Sequence, residues 1–251
     1  MGESLQWLKK QVDSIEYDEM MFRIAVGDDK YIFWAILGKN TKENKPDFFA
    51  LSSIYDTIVD VNHKIKYSFY MAAECEPSES LKDYSPLGTI STAENTAIYF
   101  IENMVFRTSI LWDMIAQMCN AFWLINKPNT EIYVAQFFHD MAQGKKAKPL
   151  AVDIYSYLKE ADVIKGDKEY WNGNHQYIKD YRDKMTHRNS TNISTMSSFA
   201  MELRPPAMFV LKRVTEDYLK ASEFIKIILD EISAEFSDFS LFSNYEEEPN
   251  V

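Results

Sequence analysis

The stretch from Ser91 to Ile125, STAENTAIYFIENMVFRTSILWDMIAQMCNAFWLI, decides the fold of this chain. Its first four residues match a capping box, in which the serine and glutamate side chains satisfy free backbone amides at a helix start. No glycine or proline interrupts the stretch, and Asn126-Lys127-Pro128 follows as a stop signal. Apolar side chains then cover more than one face of the predicted helix: Ile98, Ile101, Met104, Val105, Leu111, Trp112, Ile115, Met118, Phe122 and Trp123. The sequence therefore predicts a long central core helix ending near Ile125.

Apolar residues spaced three and four apart predict further helices on both sides of this stretch. They cover Glu3 to about Glu19, Asp47 to about Glu74, Thr130–Gln143, Leu150–Ala161, a helix that starts between Lys168 and Gln176, and a last helix from Pro205-Pro206 to about Phe236. Residues 22–37 stay open, because Val26-Gly27-Asp28-Asp29 fits a hairpin turn whereas residues 31–37 fit a strand or a buried helix.

Composition favours the same fold class. The 251 residues include only 7 glycines and 8 prolines, too few for the many tight turns of a sandwich or barrel. With 46% hydrophobic residues the chain can bury a substantial core. We therefore predict an all-α fold with a helical extension over residues 1–90 packed on the core, a helical bundle over 91–236, and an acidic flexible tail over 237–251.

Charge and cysteine content limit the function classes. The net charge of −11 argues against a broad nucleic-acid-binding surface, so any contact with RNA must be local. Cys75 and Cys119 belong to no metal-binding spacing, and the first residues lack a secretory pattern, which predicts a cytoplasmic protein. The charged residues Glu102, Arg107 and Asp113 interrupt the most apolar helix, so no membrane association is expected.

The segment Tyr181-Arg182-Asp183-Lys184-Met185-Thr186-His187-Arg188 carries the clearest chemical signal. Histidine can exchange a proton near neutrality, and the planar fork of arginine suits phosphate charge. Five residues advance an ideal helix by about 500°, which places Arg182 and His187 roughly 140° apart. Asp183 and His187, four apart, share a face, so Asp183 is predicted to orient the imidazole. Arg182 then needs a distorted helix end or a twofold partner to share the site.

An arginine followed after four residues by histidine resembles the signature of the HEPN superfamily, a group of small helical domains in which an acid or amide often follows the arginine. Arg182, Asp183 and His187 match that pattern. The resemblance implies a bundle of four or five core helices, a homodimer with the two motifs in one cleft, and, in active members, RNA cleavage that uses no metal or cofactor. It also implies a role in a toxin–antitoxin, defence or stress system, with which an inhibitory partner protein is compatible.

The predicted chemistry is transesterification of RNA. His187 serves as general base on a ribose 2′-hydroxyl or as acid toward the leaving oxygen, while Arg182 stabilises the phosphorane. Asp183 orients His187. The neighbouring cations Lys179, Lys184 and Arg188 are candidate contacts to the RNA backbone. Solvated helix charges explain the two lysines better, and Arg188, directly after His187, ranks above them as a phosphate contact.

Two other interpretations remain open. The motif also fits a helix-end ion pair of Arg182 beside a capping histidine. The chain also fits a non-catalytic helical dimer that acts as a protein- or nucleotide-binding module, which explains its acidity better. His63, His139 and His175 lie in no metal-binding pattern and are expected to be structural or exposed.

Overall fold

A computed structural model describes residues 3–19, 21–25, 31–33, 46–76, 84–144, 147–163, 170–187, 191–196 and 201–237 of the chain. These residues form mainly α-helices, as predicted. The helices are α1 (Glu3–Asp13), α2 (Phe48–Ala73), α3 (Thr92–Phe122), α4 (Val134–Ala142), α5 (Pro149–Leu158), α6 (Asn174–His187) and α7 (Ala207–Ser237), with a short 3-10 turn at Asn129–Glu131.

Helix α3 is the centre of the bundle. It packs against α2 along its length, against α7 on another side, and against α4 and α6. Met104, Leu111 and Ile115 on α3 are fully buried, as are Leu51 and Ile65 on α2. The prediction of a central core helix is thereby confirmed. Helix α1 contacts α2 and α7, which places the N-terminal helix on the same core.

The start of α3 confirms half of the predicted capping box. The Ser91 hydroxyl accepts a hydrogen bond from the Glu94 backbone N–H at 3.1 Å. The Glu94 carboxylate, however, pairs with the guanidinium of Arg204 rather than reaching back to the helix start. Both side chains are at least 96% buried, and a buried guanidinium requires an anionic partner. A long-range ion pair therefore takes the place of the local contact.

Helices α1 and α3 both end earlier than the sequence predicts. Helix α1 ends at Asp13 rather than near Glu19. Helix α3 ends at Phe122 rather than Ile125, because Leu124 and Asn126 both take a φ of 58°, in the left-handed region. The amide of Asn120 fixes this turn through its Oδ1, which accepts from the Lys127 N–H, and its Nδ2, which donates to the Lys127 carbonyl, both at 3.0 Å.

Three short antiparallel strand pairs depart from a purely helical fold. They are β1 (Arg23–Ala25) with β2 (Tyr31–Phe33), β3 (Ala161–Val163) with β4 (Tyr170–Asn172), and β5 (Thr195–Met196) with β6 (Met201–Glu202). The first pair matches the hairpin alternative for residues 22–37, although residues 26–30 and 34–37 lie outside the described part. The second corrects the predicted helix Leu150–Ala161, which ends at Leu158.

The predicted helix Thr130–Gln143 begins only at Val134, after the 3-10 turn at Asn129–Glu131, and ends at Ala142. The remaining boundaries are close to their predictions. Helix α2 covers the stretch predicted from Asp47 to Glu74, and α7 covers the predicted last helix. Helix α6 begins at Asn174, inside the predicted window. The predicted acidic tail beyond residue 237 lies outside the described residues. No helix among the described residues is both long and apolar enough to cross a membrane.

Candidate functional site

Helix α6, which carries the arginine–histidine motif, starts at a constrained point. The Gly173 N–H donates to the Glu160 carbonyl at 2.9 Å. A Cβ at position 173 would lie 2.6 Å from the same oxygen, so only glycine allows this approach. The next residue, Asn174, donates from its amide to the Glu216 carboxylate on α7 at 3.0 Å. These two contacts fix the first turn of α6 against Glu160, which directly precedes β3, and against α7.

A cavity of about 230 Å³ lies along α6. Its walls come from α3, from the start of α4 and the segment before it, from α6 and from one residue of α7. Arg182 and Lys179 line it, and both belong to the predicted site. The other lining residues are Ser109, Trp112, Asp113, Ile132, Tyr133, Val134, Ala135, His175, Ile178 and Asp217. The cavity thus combines apolar walls with titratable groups of both signs.

Arg182 and Asp183 form an ion pair on the open side of α6. The Arg182 Nη2 lies 3.0 Å from Asp183 Oδ1, and its Nε donates to the same oxygen at 3.3 Å. Their side chains are 34% and 47% exposed, so water screens the pair and Arg182 can exchange partners at modest cost. The contact between Asp183 and the His187 ring stays a prediction, because the His187 side chain lies outside the described part of the structure.

Asp113 faces Arg182 across the cavity from α3. Desolvation by the surrounding protein raises the pKa of the Asp113 carboxyl, and the Arg182 guanidinium opposes this effect. Arg182 is therefore within electrostatic reach of two carboxylates, Asp113 on α3 and Asp183 on its own helix.

His175 and Asp217 lie on the inner side of the cavity. The His175 side chain is 14% exposed and that of Asp217 only 1%, and the His175 Nδ1 is 3.5 Å from Asp217 Oδ1. Two neutral donors hold the carboxylate, since Trp112 Nε1 donates to Oδ2 at 3.1 Å and the Tyr157 hydroxyl donates to Oδ1 at 3.0 Å. Burial and the Asp217 charge both raise the pKa of Tyr157, which keeps that hydroxyl a donor.

Aromatic rings fix the position of the imidazole. The Trp112 ring meets the His175 ring edge-on, with centroids 4.9 Å apart, and it stacks on Tyr157 at 5.7 Å. The His175 Nδ1 is buried, and no described residue forms a hydrogen bond with it at this geometry. Because Asp217 is the nearest acceptor, a small shift of either side chain would close that bond.

The three predicted RNA contacts lie in different surroundings. Lys179 is exposed at the edge of the cavity and forms no ion pair with any described residue. Lys184 lies 3.5 Å from the Glu202 carboxylate on β6, which already balances its charge. Arg188 lies outside the described residues. Lys179 is thus the lysine best placed to serve a ligand in the cavity.

The other histidines show what the sequence could and could not reveal. His63 is exposed near Glu19, and His139 is a partly exposed contact of Gln143, as expected. His175 is instead a nearly buried neighbour of a buried acid. His175 lies four positions before Lys179 and seven before Arg182, a spacing that predicts a shared helix face and could have drawn attention to it. Nothing in the sequence points to Asp217, which only the packing of α7 brings to His175.

The chain matches no protein-family model, no curated protein and no solved structure. Within the described residues, no three His, Cys, Asp or Glu side chains cluster as metal ligands would.

Proposed function

We propose that this protein is a HEPN-like, metal-independent endoribonuclease that cleaves RNA by transesterification. The observation that carries the proposal is the position of Arg182, which lines a cavity on α6 and whose one ion pair within the described part of the chain is with the half-exposed Asp183. A phosphate group in the cavity can compete with Asp183 for the planar fork of the guanidinium. The arginine of the motif is therefore available to a ligand.

In this mechanism Arg182 stabilises the charge that develops on the phosphorane, and His187 exchanges a proton with the ribose 2′-hydroxyl or with the leaving oxygen. Asp183 has two roles, and it cannot fulfil both at the same time within one subunit. It pairs with Arg182 in the free protein, and it orients His187 when phosphate takes its place.

The course of α6 supports a site made by two subunits. The helix runs without interruption from Asn174 to His187. On a continuous helix, positions 182 and 187 lie roughly 140° apart, so one subunit does not present both to a single phosphate. A homodimer that places two copies of α6 together would combine Arg182 of one subunit with the histidine of the other.

Incubation of the purified protein with a labelled RNA in EDTA tests the proposal. Wild type should cleave the RNA and leave a 2′,3′-cyclic phosphate, whereas His187→Ala and Arg182→Ala should each lose about 10²-fold or more in rate. His63→Asn is the matched control, because this exposed histidine lies away from the cavity and its loss should leave the rate unchanged. Equal cleavage by wild type and His187→Ala would remove the catalytic role of the motif.

A mixture of two inactive variants tests the two-subunit site. Arg182→Ala and His187→Ala, each inactive alone, should regain up to about a quarter of the wild-type rate when mixed, because random pairing yields that share of cavities with both residues intact. A mixture that stays as inactive as its components would show that one subunit supplies the entire site.

A second candidate function is a non-catalytic helical dimer that binds another protein or a nucleotide. An apolar stripe on the outer face of α3 favours it, since Tyr99, Phe106 and Ile110 are all exposed. The stripe carries no charge of its own, and copies of a chain with net charge −11 approach each other best through an uncharged face. A second copy of the chain is thus the occupant that the charge favours.

Sedimentation of the protein across a range of concentrations tests this surface. Phe106→Glu should shift the chain toward monomer, whereas Leu87→Glu, at an exposed position away from α3, should not. A dimer that persists in Phe106→Glu would exclude the stripe as its contact surface.

A dimer that binds RNA without cleaving it in EDTA would favour the non-catalytic binding module over the nuclease.

The resemblance also suggests where such a protein acts. A nuclease of this kind would serve a toxin–antitoxin, defence or stress system, and a partner that inhibits it would have to cover the cavity or separate the subunits. Co-expression with neighbouring proteins from the same genome, followed by the EDTA assay, would identify such an inhibitor through loss of cleavage.

A further inference from the structure

His175 shares the cavity with Arg182, and α6 explains why. Residues 175, 179 and 182 are separated by four and three positions, so they lie on one face of the helix. All three side chains line the cavity. His187, five positions beyond Arg182, belongs to a different face. The histidine that shares a wall with the motif arginine in one subunit is therefore His175.

The surroundings of His175 are those of a group that accepts a proton. Asp217 is 1% exposed and accepts hydrogen bonds from the neutral donors Trp112 and Tyr157, and among the described residues the His175 ring is the one basic group within 4 Å of its carboxylate. A buried carboxylate with neutral partners stabilises a positive charge placed beside it. Protonation of His175 would complete an ion pair with Asp217. Asp217 Oδ1 lies 3.5 Å from Nδ1, where a small shift of either side chain would close a hydrogen bond, and this leaves Nε2 as the ring nitrogen for exchange with a substrate.

We propose that His175 is the general base of the RNA cleavage reaction, positioned by Asp217 and acting in the same cavity as Arg182. This inference rests on the proposed function and assigns the proton acceptor that the arginine–histidine motif leaves open. Asp217 is a positioning residue, since its side chain is 1% exposed and it acts through His175.

The reaction balances with one base and one acid. Nε2 of His175 takes the proton of the ribose 2′-hydroxyl, and the 2′-oxygen forms a bond to phosphorus. The bond from phosphorus to the 5′-oxygen breaks, and that oxygen takes a proton from His187 of the partner subunit. The products are a 2′,3′-cyclic phosphate and a 5′-hydroxyl end. After cleavage His175 carries the proton from the 2′-hydroxyl and the acid lacks the proton it gave to the 5′-oxygen, and proton exchange with water restores both groups.

Distance along the helix explains why the acid must come from a second copy. His175 and His187 are twelve residues apart, which is about 18 Å along the axis of one α6. One phosphate cannot contact both. Arg182 lies seven residues from His175 on the same face, and its long side chain can reach a phosphate that also contacts the imidazole.

A substrate with a good leaving group distinguishes the role of the base, His175, from that of the acid, His187. In an RNA dinucleotide whose 5′-bridging oxygen is replaced by sulfur, the thiolate leaves without a proton, so the acid becomes dispensable and the base does not. His187→Asn should regain most of its lost rate on this substrate, whereas His175→Asn should remain slower than wild type by about 10²-fold or more. Asp217→Asn should lower kcat through His175 while Trp112 and Tyr157 keep an oxygen acceptor.

The pH profile gives a readout that a purely structural role would not move. The groups around His175 are Asp217 on α7, Tyr157 on α5, Asp113 on α3, and Lys179 and Arg182 on its own helix. His175→Asn should abolish the rise of kcat/KM with pH on the acidic side, whereas His63→Asn should retain it. Wild-type activity in His175→Asn, or rescue of this variant by the sulfur substrate, would overturn the assignment.

A binding measurement in which no RNA is cleaved distinguishes failure of this inference from failure of the nuclease proposal. The ring signals of His175 in the wild-type protein, followed by NMR, should move on addition of uridine 3′-monophosphate and should not move in Arg182→Ala. If the wild type cleaves RNA but the signals do not move, the role of His175 alone fails. If the wild type fails to cleave RNA but the signals move, the nuclease proposal fails and takes the base assignment with it, although the cavity binds phosphate. If the signals do not move, the role of His175 fails whether or not RNA is cleaved.

Discussion

Gly173 shows how a single residue positions the candidate site. A methyl group there would lie 2.6 Å from the Glu160 carbonyl, which is backbone and cannot rotate away. Gly173→Ala should therefore lower the free energy of unfolding by about 1–3 kcal/mol, as overpacking does elsewhere. It should also reduce activity, because the first turn of α6 carries His175. Chemical denaturation and the RNA assay measure the two effects.

Gly144→Ala is a useful comparison for that variant. Gly144 has a φ of 87°, yet a Cβ there would meet no atom within 4 Å. Its cost should come from the backbone angle alone, about 1 kcal/mol, with no loss of cleavage. Equal stability losses with equal activities for the two variants would show that the contact at Glu160 does not position α6.

Ser91 offers a second test at this scale. Its hydroxyl caps the Glu94 N–H, so Ser91→Ala should cost about 1 kcal/mol of stability in thermal or chemical unfolding. Ser91→Asp should retain the cap and, through its charge at the helix N-terminus, keep wild-type stability. A neutral effect of the alanine variant would mean that water replaces the hydroxyl without loss.

The same residues show how far the sequence could specify the site. Arg182 and His187 were visible as a spaced pair, because a helix-bound motif depends only on local order. Asp217 was not visible, since it is 42 positions from His175 along the chain and only the packing of α7 against α6 brings the two within 3.5 Å. Local spacing reveals residues on one helix face, and tertiary contacts supply the rest.

At the scale of elements, the ion pair between Arg204 and Glu94 joins the segment before α7 to the start of α3. The two side chains are 3% and 4% exposed, and Arg204 also donates to the Ser85 carbonyl at 2.7 Å. Arg204→Met should cost about 3–5 kcal/mol, because it leaves a buried carboxylate without its partner. Replacing both partners, as in Arg204→Met with Glu94→Leu, should recover much of that loss.

An exposed pair provides the control for this prediction. Lys64 and Asp60 on α2 are more than half exposed, so Lys64→Met should change the free energy of unfolding by less than about 1 kcal/mol. Urea denaturation of the three variants side by side measures the contrast. Similar losses of unfolding free energy in Arg204→Met and Lys64→Met would mean that burial does not increase the contribution of the Arg204–Glu94 pair to stability.

Glu102 makes the packing of α3 against residues 191–192 dependent on pH. Desolvation raises the pKa of this carboxyl above its ordinary 4.5, although hydrogen bonds from Asn192 and Thr191 oppose the rise. The folded state therefore binds the proton more tightly than the unfolded state. As pH rises from below 4.5 to above the folded-state pKa, wild type should lose stability relative to Glu102→Gln. A stability difference that does not change between pH 4 and pH 7 would contradict this.

The elements also show which structures a sequence pattern predicts poorly. Long helices such as α2, α3 and α7 repeat an apolar face over many turns, and their predicted ranges agree with the structure. The paired strands are only two or three residues long, which is too short for a recognisable alternation of apolar and polar residues. The small side chain of Ala161 fits a helix as well as a strand, so the sequence places it at the end of a helix. Pairing with Asn172 makes it the first residue of β3 instead.

At the scale of the whole molecule, the net charge of −11 opposes the approach of RNA. Cleavage would then depend on a few cations around one cavity, and on α6 these are Lys179 and Arg182. A small contact set predicts a shallow dependence of affinity on salt, because each phosphate contact to a single strand contributes a slope of about −0.7 to log K against log salt. The acidic surface would confine RNA to the cavity rather than spread it over the protein.

Lys179→Ala and Lys184→Ala test this confinement as a matched pair on one helix. Lys179 is exposed at the cavity edge, whereas Lys184 already lies 3.5 Å from Glu202. Lys179→Ala should reduce the magnitude of the salt slope by about 0.7 and weaken binding of a 2′-deoxy substrate analogue. Lys184→Ala should change the slope little. Fluorescence anisotropy between 50 and 200 mM salt measures both slopes, and equal decreases in the two variants would mean that RNA follows the exposed length of α6, not the cavity.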